Sequence, residues 1–290
     1  MNKYLGIILL VAAMAMVFYV VNNFSKFKFL EFPSPASAPQ KTSAPSSNLS
    51  SPEIREPSKT STPPVPPQGF KLEELSPYYK KVRISSISAS AYYNHPSQIS
   101  LNTTYDLNEK INISGWRVKS NRGDFIIPKA IEVYDPFGFS EPNDINLDKA
   151  QRVYIYSSYS AFGRNFRLNK CVGYLENTYD FNPPLPRNCP RISRSGMYQL
   201  KGTCQNYLMS LSSCEAPDPN NTIVAWDEKC RQFVEQMNIN YKGCFDSHRM
   251  DPDFLSNEWR IWMGTNIFDP YHDRVLLLDK NGLLVDVYIY

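Results

Sequence analysis

The chain has 290 residues, of which 31 are Lys or Arg and 28 are Asp or Glu, so its formal net charge is +3. This near-balanced mixture of charges gives no strong electrostatic case for a nucleic-acid partner. Once the amino-terminal segments described next are set aside, enough chain remains to bury a core.

The first predicted element is a membrane anchor. Residues Leu5 to Val21 form an unbroken apolar run, which is at the short end of what can cross about 30 Å of hydrocarbon as a helix. The run ends in bulky residues instead of a small-residue cleavage site, which favours an uncleaved signal anchor at residues 1–22 over a cleaved signal peptide. Lysines flank the run on both sides, so the distribution of positive charge does not decide its orientation.

Residues 23–74 are predicted to be a linker. Ten prolines lie between Pro33 and Pro67, together with Ser, Thr, Ala and Lys. Such a segment favours polyproline II at about 3.1 Å per residue, and its contour could hold a folded head on the order of 100 Å from a bilayer. The alternative is a ligand for aromatic grooves, most known forms of which need a cytoplasmic partner.

From Leu75 onward the apolar residues alternate with period two, which is typical of short strands. The alternating pairs are separated by turn-forming residues, and they are Val82 and Ile84, Ile99 and Leu101, Ile111 and Ile113, Phe125 and Ile127, Val153 and Ile155, and Phe166 and Leu168. Many short antiparallel strands predict a mainly β fold, either a sandwich or a barrel.

The clearest predicted strands form a closing hairpin. Residues 274–290 are two apolar runs joined by Lys280, Asn281 and Gly282, and Asn-Gly between such runs signals a hairpin. In the last strand the pattern predicts one face made of Val285, Val287 and Ile289 and another made of Asp286, Tyr288 and Tyr290.

Two passages resemble the lamin-tail domain, an immunoglobulin-like β-sandwich. One is the run from Ile113 through Gly115 and Trp116, followed by a strand that ends at Pro128; the other is the hairpin containing Asn281 and Gly282. The resemblance implies an immunoglobulin-like sandwich made of residues 75–170 and 257–290, interrupted by about 85 inserted residues. It also favours a bacterial surface protein, because bacterial members of this family are often secreted or linked to membranes.

The insertion, residues 171–256, contains every cysteine of the chain and is called the cysteine-rich lobe below. The six cysteines are Cys171, Cys189, Cys204, Cys214, Cys230 and Cys244. Their wide spacing without Cys-x-x-Cys favours three disulfides over a structural zinc site, and fifteen pairings are open. Cys244 and His248 stand four apart, which is more often incidental than metal-binding, so no metal ligand is predicted. Disulfides persist in oxidising compartments, which places the amino terminus in the cytoplasm and the rest outside it.

Helical periodicity appears inside the lobe. Residues Thr222 to Met237 predict one helix with Trp226, Cys230 and Phe233 on the same side as Met237, and Gly243 is expected near its end. A shorter helix is predicted around Cys204, Tyr207, Leu208 and Leu211. We expect this partly helical lobe to sit at the rim of the sandwich.

The sequence contains no recognisable catalytic constellation. It has no Gly-x-Ser-x-Gly elbow, phosphate-binding glycine loop or His-Glu-x-x-His helix, and His95, His248 and His272 fall in different predicted loops. The prediction is that the protein is not an enzyme and uses no cofactor.

Two groups of side chains are candidates for surface contacts. Tyr154, Tyr156 and Tyr159 lie in or beside a predicted strand, and outward tyrosines suit polysaccharide or protein ligands; cross-strand structural tyrosine is the alternative. Arg187, Arg191 and Arg194 form a short basic cluster, which is usually a solvated face.

These features together predict a single-pass membrane protein that displays a binding or tethering module outside the cytoplasm. Two other classes stay open. A structural subunit of an envelope complex would show a large flat apolar patch, whereas an envelope hydrolase would bring His248 or His272 within hydrogen-bond reach of a buried carboxylate.

Overall fold

The computed structural model describes residues 64–90, 95–138, 140–192 and 194–290. The predicted anchor at residues 1–22, and the predicted linker as far as residue 63, lie outside these ranges. Within them, no helix is both long and apolar enough to cross a membrane.

The described chain is mainly β, as predicted. Each alternating apolar pair named above lies in a strand or directly beside one. The strands are β1 (Val82–Ser88), β2 (Gln98–Thr103), β3 (Ile111–Asn112), β4 (Arg117–Ser120), β5 (Gly123–Ile126), β6 (Asn146–Leu147), β7 (Arg152–Tyr156), β8 (Phe166–Asn169), β9 (Leu255–Trp262), β10 (Arg274–Leu278) and β11 (Leu284–Ile289).

Two sheets pack face to face. One has the order β1-β2-β7-β9-β8, the other has the order β11-β10-β4-β5, and β3 pairs with β6 beside them. Fully buried side chains from both sheets share one core, including Leu101 and Ile155 from the first sheet and Val118 and Leu277 from the second. This packing explains the period-two pattern of the sequence, because alternate residues of each strand point into the core between the sheets.

One strand pair departs from the antiparallel arrangement that the sequence predicts. Strand β9 lies between β7 and β8, antiparallel to β8 and parallel to β7. The parallel pairing arises because β9 lies between β7 and β8, which run in opposite directions, so a strand that is antiparallel to β8 is parallel to β7.

The four helices of the described chain all lie in the cysteine-rich lobe. They are α1 (Gly202–Ser210), α2 (Thr222–Trp226), α3 (Glu228–Met237) and α4 (Tyr241–His248), and short 3-10 helices occur at Leu72–Glu74, Val172–Asn177 and Met197–Gln199. The predicted helix around Cys204 is confirmed as α1.

The single helix predicted from Thr222 to Met237 is wrong. The chain breaks at Asp227, whose side chain accepts hydrogen bonds from the backbone N–H groups of Lys229 and Cys230 and so begins α3. Asp is among the strongest N-cap residues, and this signal outweighs the continuous helical periodicity. As a result Trp226 is 87% exposed instead of packing beside Cys230. Gly243 lies inside α4 and not at the end of α3.

The residues that carry the family resemblance have clear structural roles. Gly115 has a φ of +84°, which L side chains rarely adopt, and its N–H donates to the carbonyl of Ile127 at 2.8 Å. Trp116 is buried, with its ring centroid 5.7 Å from that of Tyr78. The predicted hairpin is present as β10 and β11.

The turn of this hairpin depends on Asp279. Its side chain accepts hydrogen bonds from the backbone N–H groups of Asn281 and Leu283, at 2.8 and 3.0 Å. Gly282 completes the turn with a φ of +81°. The Asn-Gly signal therefore gave the hairpin correctly.

The predicted grouping of side chains in β11 holds from Asp286 onward, where Tyr288 and Tyr290 pack against the core between the sheets, but it is wrong at Val285, which is buried in the same core. Leu277 pairs with Asp286 but Leu278 pairs with Leu284, so Val285 is an extra residue in the strand. Such a bulge shifts the alternation by one position. Asp286 is therefore buried, whereas Ile289 is exposed.

The cysteine-rich lobe leaves and rejoins the sheet at neighbouring strands. Asn169 of β8 pairs with Leu255 of β9, and the N–H of Lys170 donates to the carbonyl of Phe254 at 2.9 Å. The lobe thus ends at residue 254, two residues earlier than predicted.

The predicted position of the lobe at the sandwich rim is also wrong, because it covers a sheet face. Trp262 of β9 packs in one buried cluster with Phe181 of the lobe, their ring centroids 5.9 Å apart. Trp259, on the opposite face of the same strand, belongs to the core between the sheets. Both faces of strand β9 are therefore covered, and on the face toward the lobe Arg260 donates to the carbonyl of Pro184 at 2.9 Å.

Candidate functional site

All six cysteines are paired in three disulfides. Cys171–Cys244 joins the start of the lobe to α4, Cys189–Cys214 joins two loops, and Cys204–Cys230 joins α1 to α3. The prediction of three disulfides is confirmed, and one of the fifteen pairings is selected. Because Cys244 is bonded to Cys171, its sulfur is not a thiolate that could act with His248 as a metal ligand.

The three candidate tyrosines do not form one surface. Tyr154 and Tyr156 point away from the sandwich core, as the alternation predicts, but that face of β7 is covered by the lobe. Tyr156 is 3% exposed, and burial raises the pKa of its hydroxyl to about 12. Tyr159 is 78% exposed and lies beyond the end of β7. Tyr156 therefore has the structural role that was the alternative, and only Tyr159 of the three presents most of its surface to solvent.

The structure brings together a group of residues that the sequence analysis treated as a solvated face. A cavity of about 510 Å³ in the lobe, called the arginine pocket below, has the size of ordinary ligand sites. Its lining residues are Tyr174, Arg187, Asn188, Cys189, Pro190, Arg191, Ile192, Arg194, Met197, Leu208, Met209, Leu211, Ser212, Ser213 and Cys214.

The pocket is built by the disulfide framework. The Cys189–Cys214 bond forms part of its wall and connects the segment that carries the three arginines to the loop that follows α1. The side chain of Asn177 fixes that loop, because its Nδ2 donates to the carbonyl of Cys214 at 2.8 Å. Helix α1 contributes Leu208, whose side chain is buried in the lobe core.

The three arginines are the distinctive feature of the arginine pocket. Within the described ranges, no ion pair involves Arg187, Arg191 or Arg194, whereas Arg260 of β9 is paired with Glu258 at 2.8 Å. Among the residues that the structure describes, no acidic side chain lines the pocket. Since residues 171–256 contain ten Asp or Glu and eight Lys or Arg, the positive charge here comes from local clustering and not from a basic lobe.

A smaller cavity of about 60 Å³ adjoins the arginine pocket. The two cavities share Tyr174, Pro190 and Ile192 in their linings. Ser247 and His248 of α4 lie on the far side of the smaller cavity. The lobe therefore has two adjacent cavities, which have Tyr174, Pro190 and Ile192 in common.

His248 forms a polar pair, but not the arrangement expected of a hydrolase. Its Nδ1 lies 2.8 Å from Oδ2 of Asp251, and the same oxygen accepts a hydrogen bond from Nζ of Lys170 at 3.0 Å. These bonds, first that of His248 and then that of Lys170, lower the pKa of Asp251 below its ordinary value. The carboxylate is half-exposed, so the criterion of a buried partner is not met. In the described part of the chain, no group of three or more His, Cys, Asp or Glu is placed to hold a metal ion.

The chain matches no protein-family model, no curated protein and no solved structure in comparisons with known proteins. The resemblance to the lamin-tail domain therefore stays a prediction that rests on its two motifs.

The arginine pocket could not be recognised from the sequence as a site. The usable signal was the spacing of Arg187, Arg191 and Arg194 around Cys189, a cysteine that a disulfide would fix in position. What the sequence lacked was the pairing with Cys214, which brings the aliphatic residues of α1 beneath the arginines.

Proposed function

We propose that this protein is a membrane-anchored, extracytoplasmic binding module, and that it tethers its membrane to an anionic ligand held in the arginine pocket. The observation that carries the proposal is the cavity itself, in which Arg187, Arg191 and Arg194 have no carboxylate partner among the described residues. A guanidinium group presents a rigid fork of N–H donors that fits carboxylates, phosphates and sulfates.

The extracytoplasmic location is supported by two independent features. Three disulfides are usual in oxidising compartments and rare in the cytosol. The apolar run from Leu5 to Val21 and the proline-rich segment after it supply the proposed anchor and spacer. In this proposal the two packed sheets are an immunoglobulin-like sandwich of the lamin-tail kind, and they serve as the rigid support of the lobe.

The location is tested by adding protease to intact cells that express the full chain. The proposal expects residues after the linker to be digested without lysis, because they lie outside. Protection in intact cells together with digestion after lysis would contradict the proposed topology.

Binding is tested with the full-length chain in non-ionic detergent and three fluorescein-labelled probes: poly-L-glutamate, alginate oligosaccharide and polyphosphate. At least one probe should bind, with an affinity that falls as salt rises, because the interaction is between opposite charges. The triple variant Arg187→Ala, Arg191→Ala and Arg194→Ala should weaken binding at least about ten-fold, since hydrogen bonds to charged groups contribute about 1.5–3 kcal/mol each.

The matched control is Lys229→Ala, which removes a positive charge from an exposed position of α3 that does not line the pocket. It should leave the affinity within about two-fold of the unmodified chain. If no probe binds, or if the control weakens binding as much as the pocket variants, the assignment of an anionic ligand to this pocket fails.

A further inference from the structure

The arginine pocket also has an unusual floor. Apart from the arginines, its lining combines the polar residues Asn188, Ser212 and Ser213 with the aliphatic or thioether side chains of Ile192, Met197, Leu208, Met209 and Leu211. Of the described residues that line the pocket, Tyr174 is the only aromatic one, and its side chain is buried. A ligand that carries both acidic and apolar groups therefore fits this cavity.

From this combination we infer that the ligand is a peptide segment of another exported protein in which acidic residues alternate with aliphatic ones. The inference rests on the proposed function, because it names the ligand of the same pocket. Arginine clusters recognise acidic motifs, and flexible methionine side chains adapt to the varied apolar side chains of peptides.

The floor argues against an acidic polysaccharide. Sugar rings present flat C–H faces that pack best on exposed aromatic rings, and the lining offers no exposed ring. The charge argues against a fatty acid, since one carboxylate needs a single guanidinium and the rim supplies Arg187, Arg191 and Arg194. Several acidic side chains on one chain make use of all three.

The adjoining smaller cavity supports an extended ligand. It continues from the arginine pocket across Pro190 and Ile192 toward Ser247. A peptide longer than the main cavity can place a further side chain there, which a small anion cannot do.

The test compares labelled probes on the full-length chain in detergent by fluorescence anisotropy. The first is a hexapeptide of Asp-Glu-Leu repeats, and the second has the same charges with serine in place of leucine. The third probe is an alginate oligosaccharide of matched charge, and the fourth is sodium laurate. We expect the leucine peptide to bind at least about ten-fold more tightly than each of the three others.

Two variants connect this preference to the pocket. Met209 lies in the lining and is 51% exposed, so Met209→Ser should fold normally. It should remove most of the preference for leucine over serine. Ser247→Trp, at an exposed position of the smaller cavity, should reduce the affinity for a dodecapeptide of the same repeat to that for the hexapeptide.

The outcomes separate the inference from the proposed function. Equal affinity for the leucine and serine peptides, or tighter binding of alginate or laurate, overturns the peptide assignment. If the probe that does bind loses its affinity in the triple arginine variant, the proposal of an anionic ligand in this pocket is still supported. An unchanged dodecapeptide affinity in Ser247→Trp overturns the extended placement. Absence of arginine-dependent binding by every probe overturns both.

Discussion

Asp286 of β11 accepts a hydrogen bond from the backbone N–H of Ile84 in β1, with 2.7 Å between Oδ2 and N. The two strands belong to different sheets, so a buried carboxylate closes this side of the sandwich where no backbone ladder does. Its other oxygen accepts hydrogen bonds from the N–H of Val287 and from Lys80. The bulge at Val285 is what turns Asp286 inward, so an irregularity in one strand makes a contact between the sheets.

The first prediction concerns this carboxylate. Asp286→Ala leaves the N–H of Ile84 buried without an acceptor, and we expect the free energy of unfolding to fall by about 1–3 kcal/mol. Asp286→Asn should lose less, because an amide oxygen can still accept from Ile84. Urea unfolding of the full chain measures both. Asp124→Ala, which removes an exposed carboxylate from β5, should change stability by less than about 0.5 kcal/mol. Equal losses in the three variants would contradict this role.

The second prediction concerns the junction between lobe and sandwich. The hydroxyl of Tyr241 in α4 donates to the carbonyl of Tyr134 at 2.8 Å and accepts from Nδ2 of Asn169 at 2.9 Å. Tyr241→Phe leaves Nδ2 of the buried Asn169 without this acceptor and removes a donor from the half-buried carbonyl of Tyr134, and it should lower the free energy of unfolding by about 1–3 kcal/mol. The change is measured by urea unfolding. Tyr159→Phe removes an exposed hydroxyl and serves as the control, and a loss as large there would mean that the hydroxyl of Tyr241 is not what stabilises the junction.

Burial also raises the pKa of Tyr241 above its ordinary value, which gives this hydroxyl a second readout. In spectrophotometric titration of the folded chain, the absorbance change at the highest pH values should be smaller in Tyr241→Phe than in the unmodified chain, by the contribution of one tyrosine. If the missing absorbance change instead belongs to the tyrosines that titrate near the ordinary pKa of 10.0, the hydroxyl of Tyr241 is accessible to solvent.

The third prediction separates the disulfides by the loops that they close. Cys171–Cys244 spans 73 residues and Cys204–Cys230 spans 26. Restriction of the unfolded chain should make the first contribute about 4.4 kcal/mol and the second about 3.5 kcal/mol. Replacing each pair with serine in turn and measuring unfolding tests the order. Loss of more stability from the shorter loop would indicate that native contacts around Cys204, and not chain entropy, dominate.

The sequence predicted the strands well because a strand with one face in a core leaves a period-two pattern that is local. Val153 and Ile155 show it, and both are fully buried between the sheets. The same pattern placed Tyr154 and Tyr156 on the opposite face correctly. It could not tell whether that face meets water or a second layer, because the lobe that covers it is distant in sequence.

The errors in the lobe have two different physical origins. The helical periodicity from Thr222 to Met237 is genuine, but one side chain, Asp227, hydrogen-bonds to the backbone and ends the first helix. The arginine pocket depends on which cysteines pair, and fifteen pairings fit the sequence equally well. The basic cluster was visible, but the aliphatic floor beneath it became apparent only with Cys189 bonded to Cys214.

The fourth prediction concerns the pH dependence of stability at the base of the lobe. Lys170 hydrogen-bonds to Asp253 and Asp251, which raises the pKa of the lysine. The pKa of Asp251 is lowered first by His248 and then by Lys170, and that of Asp253 is lowered mainly by Lys170. A carboxylate whose pKa is lower in the folded state contributes stability above its unfolded value, near 3.8, and loses it as the pH falls through the folded value. A lysine whose pKa is raised contributes below its unfolded value, near 10.5, and loses it at higher pH.

Lys170→Met should therefore be less stable than the unmodified chain across the neutral range, and the difference should narrow when the pH is lowered from about 6 to about 3. Urea unfolding at the two pH values measures this difference. Lys229→Met, an exposed lysine of α3 without an acidic partner among the described ion pairs, should show a difference close to zero at both. A gap between Lys170→Met and the unmodified chain that stays constant with pH would mean that Lys170 stabilises the lobe by packing its aliphatic stem, and not by its charge.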